Sequence, residues 1–345
     1  MNSGRIPPET RPNDLVASAA RKRSGPGLVR IISLPFALMV AACAYDAPAR
    51  RPIGPASSSV ASAAQILPSD LDVVLWLDVA RLKQLWLREP ERQMLAVLHE
   101  YGLVPSTDDY NDGVFWSDAL LLADRMWIAC RPKASGCHDP VVLLRGDYRR
   151  IQPRRALSRT NPPLDLGGGW LRYDRTLRAT RSTLSRLYYA PPDRLLAVSE
   201  TEIDAVERTL ERSRGGQNQI PKEAGLVSLL MRPSGIAKVL EPRSPAAARF
   251  LREATRIEIE VLPEEGHLAL VADLTFETTE RAERASAIFR LLQAAFAESK
   301  NATLPPDSPV EVQGTRLVLH INLAAPSSPR EGDASPQIPA EQRAP

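Results

Sequence analysis

IEIEVLPEEGHLALVADLTFE, Ile257–Glu277, is the stretch whose reading decides the fold class. Ile257, Ile259 and Val261 alternate with Glu258 and Glu260. A period of two gives one apolar and one wet face only on an extended strand. Glu264-Glu265-Gly266 supplies a turn, and HLALVADLTFE runs back as the hairpin partner. A helix follows at once. Thr279–Glu298 carries Ala282, Ala285, Phe289, Leu292 and Phe296 at spacings of three and four. A hairpin beside an amphipathic helix predicts an α+β fold, with helices on one face of an antiparallel sheet.

The neighbouring sequence extends the pattern. Gly225–Arg232 (GLVSLLMR) reads as a strand, and a helix starts at Ser244 with Pro245 in its first turn and Ala248 and Leu251 on one face. VEVQGTRLVLHINL supplies a last pair of strands around Gly314. The first half has a similar order. DVVLWLD (Asp72–Asp78) is a strand. Leu82, Leu85, Trp86, Met94, Leu95 and Leu98 mark a helix that Pro90 restarts. RMWIAC and VVLLRGDY form a hairpin, a short helix covers Pro153–Arg159, and WLRYD, RLYYAPP and RLLAVS are further strands. Ser199-Glu200-Thr201-Glu202 has the spacing of a capping box for a helix with Ile203, Val206 and Leu210 on its buried stripe. Gly215-Gly216 ends that helix. Both halves read strand–helix–strand–strand–helix–strand. That order predicts two related ferredoxin-like (split βαβ) halves, 65–216 and 217–323, with helices on one face of each sheet and an internal duplication behind them.

The ends read differently. Residues 44–64 (AYDAPARRPIGPASSSVASAA) and 324–345 (AAPSSPREGDASPQIPAEQRAP) are rich in Pro, Ala and Ser and lack a hydrophobic period. They read as a disordered tether, 43–64 with its cysteine, and a disordered tail. Upstream, Ile31–Ala42 is apolar but broken by Pro35. It is shorter than the roughly 20 residues that span a bilayer. Arg21, Lys22, Arg23 and Arg30 precede it, as in a secretory signal. Val40-Ala41-Ala42-Cys43 resembles a bacterial lipobox. The resemblance implies cleavage before Cys43, a diacylglycerol on its thiol and a membrane anchor, with residues 1–42 removed. An ordinary signal peptide with a chance cysteine is the other reading. Position 44, after the cysteine, is Ala and lacks the Asp that resembles an inner-membrane retention signal, which favours the outer membrane within an exported, envelope location. The folded part resembles uncharacterised envelope lipoproteins that begin P-x-D before a VVLWLD-like strand. Here that is Leu67-Pro68-Ser69-Asp70, and the resemblance implies no activity.

Removing the signal changes the charge. The chain has 44 basic and 41 acidic residues, and 1–42 holds six and two of them, leaving a mature net charge of −1. Nothing in that balance points to nucleic acid. Three cysteines are odd for an exported chain. Lipidation of Cys43 leaves Cys130 and Cys137 across a Pro/Ser/Gly turn in MWIACRPKASGCHDPVVLL, where an oxidising compartment lets them bond. Two free thiols, or a metal pair with His138, are the alternatives, although a metal needs more ligands.

Catalytic patterns are missing: the chain has no G-x-S-x-G, H-E-x-x-H, P-loop or dinucleotide glycine motif. The reading therefore assigns no cofactor, metal or catalytic residue. His99, His138, His267 and His320 share no metal-ligand spacing. Asp108–Gly113 (DDYNDG) fails the calcium-loop pattern at Tyr110 and Ala119. Arg145-Gly146-Asp147 ends a strand rather than projecting on a loop, and Gly167-Gly168-Gly169 reads as a turn into a strand. One feature stands above composition. Residues 145–194 hold twelve arginines and four aspartates, a net charge of +8 against −9 for the rest of the mature chain. Arg145, Arg149, Arg150, Arg154, Arg155 and Arg159 form a candidate anionic-ligand patch, since a helix opened by Pro153 would bring Arg149, Arg150, Arg154 and Arg155 together. The competing reading is a solvated surface neutralised by carboxylates of the other half. The sequence thus predicts a non-enzymatic binding or structural module of the envelope. Its partner would be an envelope protein, an anionic polymer or a lipid head group. An enzyme whose site is assembled from distant residues is the alternative.

Overall fold

The computed structural model describes residues 62–85, 118–133, 136–149, 163–177, 184–211, 219–242, 244–264, 267–297 and 309–323. A short helix, α1 (Ala63–Ile66), leads through Leu67–Asp72 into β1 (Val73–Asp78) and then α2 (Val79–Leu85). Strands β2 (Ala123–Lys133) and β3 (Gly136–Gly146) pair as a hairpin. Strands β4 (Leu164–Asp165), β5 (Leu171–Leu177), β6 (Leu184–Ala190) and β7 (Arg194–Ser199) follow, and a 3-10 turn at Glu200–Glu202 runs into α3 (Ile203–Glu211). The second half contains β8 (Val227–Met231), α4 (Pro233–Leu240), α5 (Pro245–Glu253), β9 (Ala254–Glu264), β10 (His267–Phe276), α6 (Thr279–Ala297), β11 (Val310–Gln313) and β12 (Arg316–Leu323).

All twelve strands belong to one sheet, in the order β11-β12-β10-β9-β8-β1-β2-β3-β7-β6-β5-β4. This corrects the expectation of two sheets: β1 hydrogen-bonds to β8, so the halves share a single sheet. The boundary drawn at 216/217 lies outside the described residues. The ferredoxin-like pairing is also corrected. In a split βαβ unit the strands flanking the crossover helix run parallel, with another strand between them. Here β1 and β2 flank α2 yet pair directly and antiparallel, and β8 and β9 do the same around α4 and α5. Every ladder among the described strands is antiparallel.

The two halves nevertheless repeat one pairing order outward from the β1–β8 centre. A single strand is followed by a hairpin, then by the second strand of another hairpin, then by its first. The register repeats too. Leu75 pairs with Leu229 across the centre. The transverse row continues through Ile128, Val142, Ala197 and Leu187 on one side. On the other it passes through Ile259, Ala272, Leu319 and Val310. All ten residues belong to the same apolar layer.

Helices α2, α4, α5 and α6 cover that layer through Val79, Leu82, Ile236, Phe250, Ala282 and Ala285. Phe250 stacks edge-on against Phe276 and Phe289, with centroids 6.4 and 5.7 Å apart. The opposite face carries a second core of Val74, Trp76, Trp127, Val141, Leu143, Tyr188 and Leu196 beneath α1 and α3, whose contributions are Ala63, Ile66, Ile203 and Val206. Helices therefore lie on both faces, against the expectation of one. Two-sided cover explains why β1 and β8 are buried at consecutive positions, Val73–Leu77 and Val227–Met231, all apolar except Ser228, whose hydroxyl donates to the Ala224 carbonyl at 2.9 Å. Fully burying one such apolar side chain contributes about 1.5–3 kcal/mol.

Helix α4 is an element the sequence reading left out. Pro233 and Gly235 look like a turn, but Pro233 occupies the first helical turn, where its missing N–H is harmless. Gly235 is required by packing, because a Cβ there would overlap the Asp72 side chain. The capping box at Ser199 is not formed either. Ser199 makes no side-chain cap hydrogen bond, and Glu202 turns instead toward β2.

Candidate functional site

The Cys130–Cys137 disulfide is present, with Cα atoms 5.8 Å apart. It closes the β2–β3 hairpin diagonally rather than face to face. Cys137 sits opposite Pro132, and a register shift between Ala129 and Arg131 accommodates an extra residue at Asp139, whose φ is 52°. Both cysteines pack into the layer covered by α2, α4, α5 and α6, Cys130 fully buried and Cys137 partly so. His138 pairs with Arg131 in the same ladder. Burial lowers its pKa, Lys133 adds to the effect and Asp139 opposes it.

The nominated arginines separate. Arg145 is the penultimate residue of β3 and lies 3.4 Å from Asp193. Gly146 beside it has no room for a Cβ, which would overlap the Leu122 carbonyl. The Arg-Gly-Asp tripeptide is thus accounted for by packing. Arg149 is exposed and 3.9 Å from Asp147. Both partner carboxylates come from the first half. Arg150, Arg154, Arg155, Arg159 and the helix expected at 153–159 lie outside the described residues, as do Cys43, His99, Asp108–Gly113 and Gly215-Gly216. Gly167, Gly168 and Gly169 all adopt positive φ in the tight turn between β4 and β5, as their sequence implied.

Two polar clusters emerge that sequence reading missed. The first centres on Arg131, the residue after the disulfide cysteine. Its Nε donates to Glu202 Oε1 at 2.9 Å and its Nη2 to Asp70 Oδ2 at 2.7 Å, while Nη1 donates to the Asp70 carbonyl at 3.1 Å. Glu202 is only 3 % exposed. The Glu202 hydrogen bond raises the Arg131 pKa. For Asp70, burial works upward, but the hydrogen bond and charge of Arg131 outweigh it and hold the carboxyl below its usual range. Arg232 fastens the same strap: its backbone N–H donates to the Asp72 carbonyl at 2.7 Å and its guanidinium to the Ser69 carbonyl. The P-x-D of Pro68-Ser69-Asp70 is therefore the clasp that lays α1 across the sheet.

The second cluster lies on the β5–β6 ladder, one strand in from the β4 edge. Arg172 pairs across the ladder with Tyr188, and Asp174 with Arg186. These four side chains tile one face, and Glu207 reaches over them from α3. Its Oε1 accepts from Arg186 Nη1 at 2.9 Å, Tyr188 Oη at 2.9 Å and Arg172 Nη1 at 3.2 Å. Asp174 Oδ1 stands 3.3 Å from Nε of each arginine. Burial raises the Glu207 carboxyl, but the Tyr188 and Arg186 hydrogen bonds and the two guanidinium charges prevail and leave it depressed. Burial, then the Glu207 hydrogen bond, raises Tyr188. The sequence clue was alternation: Arg172 and Asp174 are two apart, as are Arg186 and Tyr188, so each pair shares a strand face.

On the second half the same side of the sheet carries charge instead of core. Glu258 accepts from the Lys222 backbone N–H at 2.8 Å and from Arg256 at 3.0 Å, and Arg316 pairs with Asp273. The Glu residues of IEIEV thus face the predicted side, but Glu258 is 3 % exposed rather than wet. Among the described residues no three His, Cys, Asp or Glu side chains form a metal-sized group, and no helix is long and apolar enough to cross a membrane.

No family model matches the chain, and no curated protein matches it. Among solved structures it is similar to TP0453 in three crystal forms. Form I shares 11% identity at a TM-score of 0.44, covering 78% of this chain and 95% of that one. Form III shares 12% at 0.43, covering 78% and 96%. Form IV shares 14% at 0.45, covering 77% and 94%. At these scores the likeness adds nothing to the reading of the two clusters.

Proposed function

We propose that the chain is an exported lipoprotein of the cell envelope, anchored through Cys43 and acting as a non-enzymatic binding or structural module. The observation that carries this reading is the Cys130–Cys137 disulfide. Such bonds persist in oxidising compartments. It also leaves Cys43, behind its lipobox-like Val40-Ala41-Ala42, as the third cysteine of the chain. The polar clusters fit a module better than a catalyst. Arg131, Arg172 and Arg186 each spend their charge on carboxylates of the same fold. The partner is an envelope protein, an anionic polymer or a lipid head group, met through the arginine-rich segment 145–194. The preferred membrane is the outer one, from Ala44. The repeated pairing order and register of the halves support descent from one duplicated unit.

The test is fatty-acid labelling with membrane fractionation. Wild type should carry label and sediment with membranes, and Cys43→Ser should lose the label. An unmodified Cys43 in wild-type protein, seen by mass spectrometry, refutes the anchor.

A further inference from the structure

The β5–β6 tile has the form of an anion site with a built-in occupant. Arg172 and Tyr188 share one cross-strand pair, Asp174 and Arg186 the next, and Glu207 fills the space above them. All three donors converge on one oxygen of one carboxylate. A guanidinium pair with a phenolic hydroxyl is also what phosphate recognition uses, because the planar fork fits tetrahedral oxyanions as well as carboxylates. The charges agree. Arg172 and Arg186 against Asp174 and Glu207 sum to zero, and with Glu207 turned away the tile keeps one positive charge, matching a monoanion. Glu207 is placed to turn away. Its side chain keeps 19% exposure. It stands one turn from the end of α3, whose buried grip on the sheet comes from Ile203 and Val206. Rotating one side chain empties the tile without moving the helix. The arginines are half-covered, at 20% and 29% side-chain exposure, and Asp174 beside them is 51% exposed.

We propose that Arg172, Arg186 and Tyr188 form a binding site for a phosphate or phosphodiester monoanion, and that Glu207 is an autoinhibitory ligand occupying it. The site lies outside the 145–159 cluster and stands whether or not Cys43 is lipidated. An intramolecular carboxylate competes at high effective concentration, so wild type binds external anion weakly.

The test uses the purified full chain titrated with inorganic phosphate near pH 6, with chloride at matched ionic strength as control, by calorimetry and thermal shift. Glu207→Gln should bind phosphate about tenfold more tightly than wild type. Glu207→Asp, which keeps the charge but withdraws it by one methylene, should fall between them and covers the case in which the amide variant folds poorly. The gain should vanish in Glu207→Gln/Arg186→Gln and in Glu207→Gln/Arg172→Gln. Sedimentation with phosphatidylglycerol vesicles then separates sources. Capture of Glu207→Gln above the double variants identifies a lipid phosphodiester, and a gain for phosphate alone identifies a soluble one; either supports the site. Equal phosphate affinity in wild type and both Glu207 variants, or a gain that survives loss of either arginine, overturns it.

Discussion

Arg131→Met removes the hub that ties the strap to β2 and the 3-10 turn. Glu202, its side chain 4% exposed, is left without its Arg131 partner. Breaking a fully buried pair costs roughly 3–5 kcal/mol. Arg131 itself is 35% exposed, so water and salt already screen the pair. Discounting for that screening gives a loss of about 2 kcal/mol. In a folded unit of this size each kcal/mol moves Tm by about 2–4 °C. The assay is chemical unfolding of wild type, Arg131→Met, Glu202→Leu and the double variant. Glu202→Leu should cost less than Arg131→Met, because Asp70 still holds the guanidinium. The double variant should be more stable than the sum of the singles implies, by about 1 kcal/mol or more, since no lone charge remains buried. A loss below about 0.5 kcal/mol for Arg131→Met, or strict additivity, would show that the hub is a solvated pair of no energetic consequence.

Reduction should release two thiols, and either reduction or Cys130→Ser with Cys137→Ser should cost about 2 kcal/mol, the low end for a short closed loop; unchanged unfolding after complete reduction would contradict this. Gly235→Ala should destabilise by about 1–3 kcal/mol because the new methyl overlaps the Asp72 side chain, read by the shift in denaturant midpoint. Asp70 and Glu207 have native pKa values depressed below their unfolded ones. Each therefore binds fewer protons when folded, and its contribution is complete above the unfolded carboxylate range, about pH 4. It disappears as pH falls through the depressed native values. Stability measured from pH 7 to pH 2 should fall less steeply on the acid side in Asp70→Asn, and an unchanged acid limb would count against the Arg131–Asp70 contact.

How much of this was legible can be argued strand by strand. IEIEV alternates because α1 and α3 cover only the first half on that side, so β9 meets charge there. VVLWL does not alternate, and its continuous apolar run carries the sign of a sheet covered on both faces; VSLLM departs from it at Ser228 alone. The expectation of helices on one face rests instead on the alternation of IEIEV, which holds for β9 and not for the central strands. Partner choice was hidden for a different reason. Leu75 and Leu229 are paired across more than 150 residues, and an apolar strand does not name its neighbour. The disulfide was legible because its cysteines flank one turn. The Arg131 hub and the Glu207 tile were not, since each joins residues from separate elements. Glu202 shows the conflict directly: local spacing favours a capping box, but a guanidinium on β2 competes for the same carboxylate and wins.

The central place of β1 has a consequence for the order of folding. Translation delivers β1 early, while its partner β8 arrives some 150 residues later. Until then β1 is an edge strand, with the polar backbone groups along its β8 side unpaired and with Val73, Val74, Leu75, Trp76 and Leu77 beside them. Long apolar edges of this kind recruit other chains. A fragment ending at residue 216 would hold that edge open permanently. It should associate or aggregate at concentrations where the full chain stays dispersed, because the second half is, among other things, the cap on the first.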